Sequence, residues 1–207
     1  MILFSTPMYG GQCTGAFWRS SLRTVLELQQ AGIASDWLDE RNESLVHRAR
    51  MEMTATFLRR PEFTHLFWID ADIEFEPEHV AALWNLETDI ATGLYAMKRA
   101  DMPLSAWKGG KLVKREEWPS TPFEVDYCGT GFLLIRRNVL ETLAAKAPSF
   151  EGKGGLPVPA LFMTPIHNGI LESEDYFFCR QAREAGFKII ADPSIKLRHW
   201  GQAAFGA

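Results

Sequence analysis

Two carboxylates one residue apart, Asp70 and Asp72, follow the apolar run Leu66-Phe67-Trp68-Ile69. A continuous run of this kind suits a central strand covered on both faces. Acids at its C-terminal end then lie where open α/β sheets bind ligands. Two carboxylates this close repel each other unless a cation or a hydrogen-bond donor intervenes. A hard divalent ion, Mg2+ or Mn2+, fits, because it takes oxygen ligands and shares them with substrate phosphates. The same tripeptide also serves as an acidic turn before a helix opening at Pro77, and the spacing alone leaves both readings open.

A second acidic pair stands in Ser173-Glu174-Asp175. With Ser173 as helix cap, both acids fall in the first turn, where the helix dipole alone favours each by about 0.3–1 kcal/mol. Asp175 also shares one helical side with Phe178, Cys179 and Ala182, at spacings of three, four and seven. That places its carboxylate at the top of a buried face, aimed inward, where a general base belongs. His199, in Leu197-Arg198-His199-Trp200-Gly201, completes a metal site if the fold brings it to Asp72. Otherwise it is one more half-exposed side chain. The glycines near the start spell no phosphate loop. Gly10 and Gly15 match a dinucleotide fingerprint, but Gln12 fills its middle position, and Ala16-Phe17 follow Gly15 in place of Lys-Ser/Thr.

The elements that must hold these residues alternate. Ile2–Ser5 reads as a buried strand broken by turn residues from Thr6 to Gly11. Trp18, Leu22, Val25 and Leu26 recur at the helical period between Ala16 and Ala31, with Gly32 as C-terminal stop. Ile33–Leu38 is a second strand, running into the acidic turn Asp39-Glu40. Ser44 caps a helix to Arg60, with Leu45, Ala49, Met53 and Phe57 along one side. After the strand at 66–69 come a helix from Pro77 to Leu86 and a strand from Asp89 to Tyr95. This order argues for right-handed crossovers and a mostly parallel sheet flanked by helices. Residues 99–124 read as a variable excursion and 148–159, rich in Gly and Pro, as a mobile loop. Between them lie a strand at 131–136 and a helix at 138–147. A helix at 173–186 and strands at 187–191 and 195–197 close the chain.

Composition sets bounds on function. The 207 residues are 46% hydrophobic and 23% charged with a formal net charge of -4, values of a water-soluble globular chain of one domain spanning 1–207. The negative charge supplies no bulk field for nucleic acid or anionic lipid. A local basic cluster, Lys108, Lys111, Lys114 and Arg115, reads as a solvated loop. No apolar run approaches the ~20 residues of a bilayer span. The start lacks a basic lead-in to a signal segment, so the cytosol is the expected compartment. Three cysteines at wide spacings make neither a disulfide framework nor a zinc knuckle.

Taken in order, these motifs resemble the GT-A glycosyltransferases, nucleotide-sugar-dependent enzymes with one Rossmann-like domain, and most of all their small family-two-like members. Thr6-Pro7 is similar to the nucleotide-holding loop. Phe67 through Asp72 resembles the apolar strand with its DxD motif. Gly129-Thr130-Gly131-Phe132 is similar to the glycine-rich turn before the acceptor-side strand, Ser173-Glu174-Asp175 to the xED motif, and His199-Trp200-Gly201 to the C-terminal metal-binding histidine. The resemblance spans nearly the whole chain.

It implies roles. Asp72 binds Mn2+ or Mg2+ directly, His199 adds a nitrogen ligand, and Asp70 contacts the ribose or reaches the metal through water. Asp175 is the base for in-line attack with inversion, ahead of Glu174. Arg50, in Ala49-Arg50-Met51, stands where the family carries Ala-Arg-Asn near the nucleotide, with Met51 in place of Asn. Asp39 holds the base or ribose, Lys98 lies near the donor, and Gly131 lines the donor side. No Gln/Arg-x-x-Arg-Trp motif follows the base, which implies a single addition. The implied donor is a nucleoside-diphosphate sugar. The acceptor is a glycan, a protein, a lipid-linked sugar or a modified DNA base. The 148–159 loop would act as a lid. A nucleotidyltransferase making nucleotide sugars is the competing enzyme, and a non-catalytic nucleotide-binding module the competing class.

Overall fold

The computed structural model describes residues 1–98, 103–114, 117 and 119–201. Its strands, in chain order, are β1 (Ile2–Met8), β2 (Ser35–Arg41), β3 (His65–Ile69), β4 (Ile73–Glu74), β5 (Ile90–Gly93), β6 (Ala106–Lys108), β7 (Lys111–Leu112) and β8 (Phe123–Val125). They continue with β9 (Tyr127–Cys128), β10 (Phe132–Arg136), β11 (Ser149–Glu151), β12 (Pro157–Pro159), β13 (Ile166–His167), β14 (Ile170–Leu171), β15 (Ile189–Asp192) and β16 (Arg198–His199). The helices are α1 (Gly15–Gln30), α2 (Val46–Leu58), α3 (Pro77–Asn85), α4 (Arg137–Ala144) and α5 (Glu174–Glu184).

Seven strands form one sheet in the order β2-β1-β3-β10-β5-β15-β8. Within it β2, β1 and β3 run parallel, as do β5 and β15, while β10 and β8 run against their neighbours. The sheet is thus α/β and mostly parallel, as expected, with one reversed strand in its middle. Alternation along the buried strands sorts their side chains. Leu3, Leu66, Trp68, Leu133 and Ile135 join the core under α2, α4 and α5. Ile2, Phe4, Phe67, Ile69 and Leu134 join the core under α1 and α3.

Several elements differ from the sequence expectation. Thr6 and Pro7 extend β1 rather than break it. β1 pairs with β3 only as far as Ser5, so beyond that point it has a neighbour on one side and tolerates Pro7 as an edge would. Asp39 and Glu40 lie within β2, not in a turn. The α2 cap is Leu45, not Ser44, and the Leu45 N–H is satisfied by the Glu43 carboxylate at 3.0 Å. No strand forms at 195–197; the pairing begins one residue later, where β16 lies against β4.

Helix α1 departs most. It buries Ala16, Phe17, Ser20 and Thr24, while Trp18, Leu22, Val25 and Leu26 remain 40% to 59% exposed. Periodicity located the helix, but the apolar stripe faces away from the sheet. The excursion at 99–124 contributes β6 and β7, which form a small sheet with β9, and runs into edge strand β8; Arg115 of the basic cluster lies outside the described residues. The 148–159 segment is a β11–β12 hairpin rather than an irregular loop. Val158 is buried, the Lys153 N–H bonds Glu52 Oε1 at 3.0 Å, and the Lys153 ammonium pairs with Glu40, so the hairpin packs on α2 and β2. Among the described residues no helix is long and apolar enough to cross a membrane.

Candidate active site

The site begins where β3 ends. The Asp70 N–H donates to the Gly131 carbonyl at 3.0 Å, which ties the end of β3 to the turn before antiparallel β10. A tight turn at 70–73, closed by Ile73 N–H to Asp70 O at 3.0 Å, then sends the chain into β4. β16 pairs with β4 in the register His199↔Ile73, and the Trp200 N–H donates to the Asp72 carbonyl at 2.9 Å. This pairing carries His199 across more than a hundred residues to Asp72.

Around Asp72 the geometry is specific. His199 Nδ1 lies 2.9 Å from the Ala96 carbonyl. A carbonyl only accepts, so Nδ1 carries the proton and Nε2 presents a lone pair. Nε2 is 3.4 Å from Asp72 Oδ1. That oxygen is buried and makes no hydrogen bond among the described residues. A lone pair facing a carboxylate oxygen is an arrangement that a cation completes. The other Asp72 oxygen holds the Lys98 ammonium. Burial works to raise the Asp72 pKa, and the Lys98 ammonium works against it. A cleft of about 370 Å³ opens here, bounded by Tyr9, Thr14, Asp72, Lys98 and Trp200.

A second cluster surrounds Arg50, which α2 buries to 3% exposure over the Trp68 ring. Its Nη2 donates to Asp70 Oδ1 at 2.8 Å, while Nε and Nη1 are buried without partners among the described residues. Burial opposes its charge, yet Asp70, Asp175 and Glu174 outweigh that and raise its pKa. Arg50 therefore ties the β3 acids to the start of α5. There Ser173 caps the helix as expected, accepting from the Tyr176 N–H at 3.4 Å. Asp175 Oδ1 accepts from the buried Thr130 hydroxyl at 2.9 Å. Asp175 is only half-buried by its own surface but densely surrounded. Burial, then Glu174, push its pKa up to about 7, against the pull of Arg50 and Thr130. A carboxylate poised near neutrality is suited to take a proton.

Tyr95 is a residue that the sequence did not single out. Its hydroxyl accepts from the Gly131 N–H at 2.9 Å, and its ring packs edge-on against His199 with centroids 5.1 Å apart. A Cβ at Gly129 or Gly131 would meet that hydroxyl at 2.3 or 2.6 Å, so both glycines are there to admit it. The two glycines were the signal: paired, they mark a close approach.

Of the remaining donor-side residues, Thr6 and Asp39 are register partners at the ends of β1 and β2, with Pro7 next along β1. Thr6 is fully buried and its hydroxyl accepts from the Trp37 indole at 3.0 Å. The Asp39 carboxylate is taken by Arg41. The structure thus gathers Asp70, Arg50, Gly131 and Asp175 in one cluster, and Asp72, Lys98 and His199 in another joined to it through β3 and Tyr95. Thr6, Pro7 and Asp39 stand apart at the sheet edge. No group of three or more His, Cys, Asp or Glu side chains gathers as a metal cage among the described residues.

Arrangement and topology define a GT-A-like glycosyltransferase fold. No protein-family profile matches the sequence, and no curated protein matches it significantly. Among solved structures, A197 from STIV is similar over 97% of this chain and 86% of its own, with a TM-score of 0.65 and 21% identity. GalNAc-T7, solved with UDP, GalNAc and Mn2+, matches 96% of this chain and 43% of its own, with a TM-score of 0.55 and 10% identity. The catalytic domain of Drosophila β1,4-galactosyltransferase 7, in complex with xylobiose, matches 94% and 66%, with a TM-score of 0.51 and 12% identity. Two of these structural neighbours are thus glycosyltransferases by name. At such identities the likeness establishes the fold.

Proposed function

We propose that the chain, as one domain, is a divalent-metal-dependent glycosyltransferase that moves one sugar from a nucleoside-diphosphate sugar to an acceptor hydroxyl with inversion. The observation that carries this is the unpartnered Asp72 oxygen faced by a His199 nitrogen whose other ring nitrogen is fixed on Ala96. A carboxylate oxygen and a neutral imidazole suit Mn2+ or Mg2+, which take few protein ligands and fill the rest with phosphate oxygens and water. Asp72 and His199 would hold the ion, with Asp70 at its margin. When bound, it would neutralise the diphosphate and so improve the leaving group.

The chain's own residues do the rest. Lys98, now on Asp72, lines the cleft and is placed to turn to the donor phosphates. Arg50 fixes Asp70 and offers two further donors. Asp175, held by Thr130, takes the acceptor proton, and Glu174 keeps its affinity for that proton high. Thr6, Pro7 and Asp39, near the C-terminal ends of β1 and β2, would take the nucleoside, and Gly131, beside Tyr95, would line the donor side. The β11–β12 hairpin, anchored on Glu40 and Glu52, would close over the bound donor as a lid.

The test is release of nucleoside diphosphate from a panel of nucleotide sugars with and without Mn2+. Slow, Mn2+-dependent hydrolysis that Asp72→Asn abolishes is expected. Turnover that ignores both the metal and that substitution would refute it.

A further inference from the structure

A second cleft lies at the start of α5, the helix that carries the proposed base, and its walls describe what enters it. The cleft encloses about 370 Å³ between Tyr127 of β9, Ser173 and Tyr176 at the start of α5, and His167, Ile170 and Leu171 of the β13–β14 hairpin. Ser173 and Tyr176 flank Asp175 in the chain. The aromatic wall is fixed: Tyr176 accepts from the Trp107 indole at 2.8 Å, and its ring lies 5.3 Å from that of Tyr127. Such rings offer an apolar face with a polar rim, which matches the C–H face of a sugar and its hydroxyls.

The opposite wall is an exposed apolar hairpin. An Asn168-Gly169 turn with both φ positive, 51° and 77°, closes a two-residue hairpin. The hairpin holds Ile166, Ile170 and Leu171 at 77%, 71% and 71% exposure. Large aliphatic side chains grouped in water beside a pocket mark a contact surface. The charge pattern narrows the occupant. Among the described residues no Lys or Arg lines the cleft, and Glu172 adds a carboxylate to it. The nearby Arg180 is spent on Glu172 and Glu184, and Arg183 on Asp126. A phosphate-bearing acceptor finds no counter-charge there.

Building on the assignment of Asp175 as base, we infer that the acceptor is a neutral glycoside with an apolar aglycone. Its sugar lies on the Tyr127–Tyr176 wall and its chain along Ile170 and Leu171. Binding is measured without donor, so the outcome is independent of turnover. The whole chain is titrated calorimetrically with methyl, hexyl and octyl β-glucoside below their micellar concentrations, and with glucose 1-phosphate.

Affinity should rise about tenfold or more from methyl to hexyl, as partial burial of five methylenes implies, and glucose 1-phosphate should gain nothing. Ile170→Ser with Leu171→Ser, both at exposed positions, should erase the chain-length dependence while circular dichroism stays unchanged. Equal affinities along the series, no binding of any glycoside, or a chain-length gain that survives the double substitution would overturn the inference. Alkyl-glycoside binding without donor hydrolysis would instead uphold the cleft and sink the transferase. Hydrolysis without alkyl preference would do the reverse.

Discussion

Replacing Asp175 by Asn should make the protein more stable at pH 8 while removing transfer. Burial and Glu174 push the Asp175 pKa up to about 7, from an ordinary 3.8. Between those values the native state binds a proton that the unfolded chain has released. Stability therefore falls as pH rises from about 4 to about 7, and is lowest above that window. At about 1.4 kcal/mol per pKa unit, holding the charge at pH 8 costs at most about 4 kcal/mol. The half-exposed carboxylate relaxes, and the variant gives up its attraction to Arg50, so a net gain of about 1–2 kcal/mol is expected. For a chain of this size that is about 3–6 °C in melting temperature. The amide oxygen of Asn still accepts from Thr130, so the local geometry is kept. Thermal melts from pH 4 to pH 8 check this: the two proteins should coincide near pH 4 and diverge above it. A variant that is destabilised by the same amount at every pH, or a wild type whose stability does not fall through the window, would refute the reasoning.

Other outcomes follow from the same contacts. Asp72→Asn should lose Mn2+ binding measured by calorimetry, because it removes a charged ligand at the position His199 faces. Lys98→Met should bind Mn2+ several-fold more tightly than wild type, since a competing cation leaves the same carboxylate. Gly129→Ala should cost about 2–4 kcal/mol through its collision with the Tyr95 hydroxyl, and Tyr95→Phe should recover part of that loss in the double variant, a coupling that urea melts can read. Glu52→Ala should cost about 1–2 kcal/mol and speed proteolysis within residues 148–159, since Glu52 accepts from the Lys153 N–H.

What the sequence revealed was local. The run Leu66–Ile69 announced β3 because a strand covered on both faces needs apolar residues at every position, and the acids after it had nowhere to be but the sheet edge. Ser173 announced α5 because a cap has a definite chemistry. The path of His199 to Asp72 was not legible, since it depends on a ladder of two residues, β16 on β4, too short to leave a pattern. The stripe on α1 misleads for a physical reason: a 3.6 period shows that one face is apolar, not which way that face turns. Tyr95 was invisible because its importance lies in the void left by Gly129 and Gly131. The β11–β12 and β13–β14 hairpins use strands of two or three residues whose Gly and Pro content reads as loop.

Within the large sheet, β3 and β5 are consecutive along the chain yet not paired; β10, which the ribosome delivers some forty residues after β5, is wedged between them. Until it arrives, each presents a raw edge of unpaired amides, and Asp70 lacks the carbonyl that anchors it. The anchoring of Asp70 is therefore tied to that late insertion rather than to either neighbour alone. A chain cut short before Phe132 would hold Asp70 and Asp72 but neither Asp175 nor His199, and would leave only two sticky borders waiting for the strand that joins them.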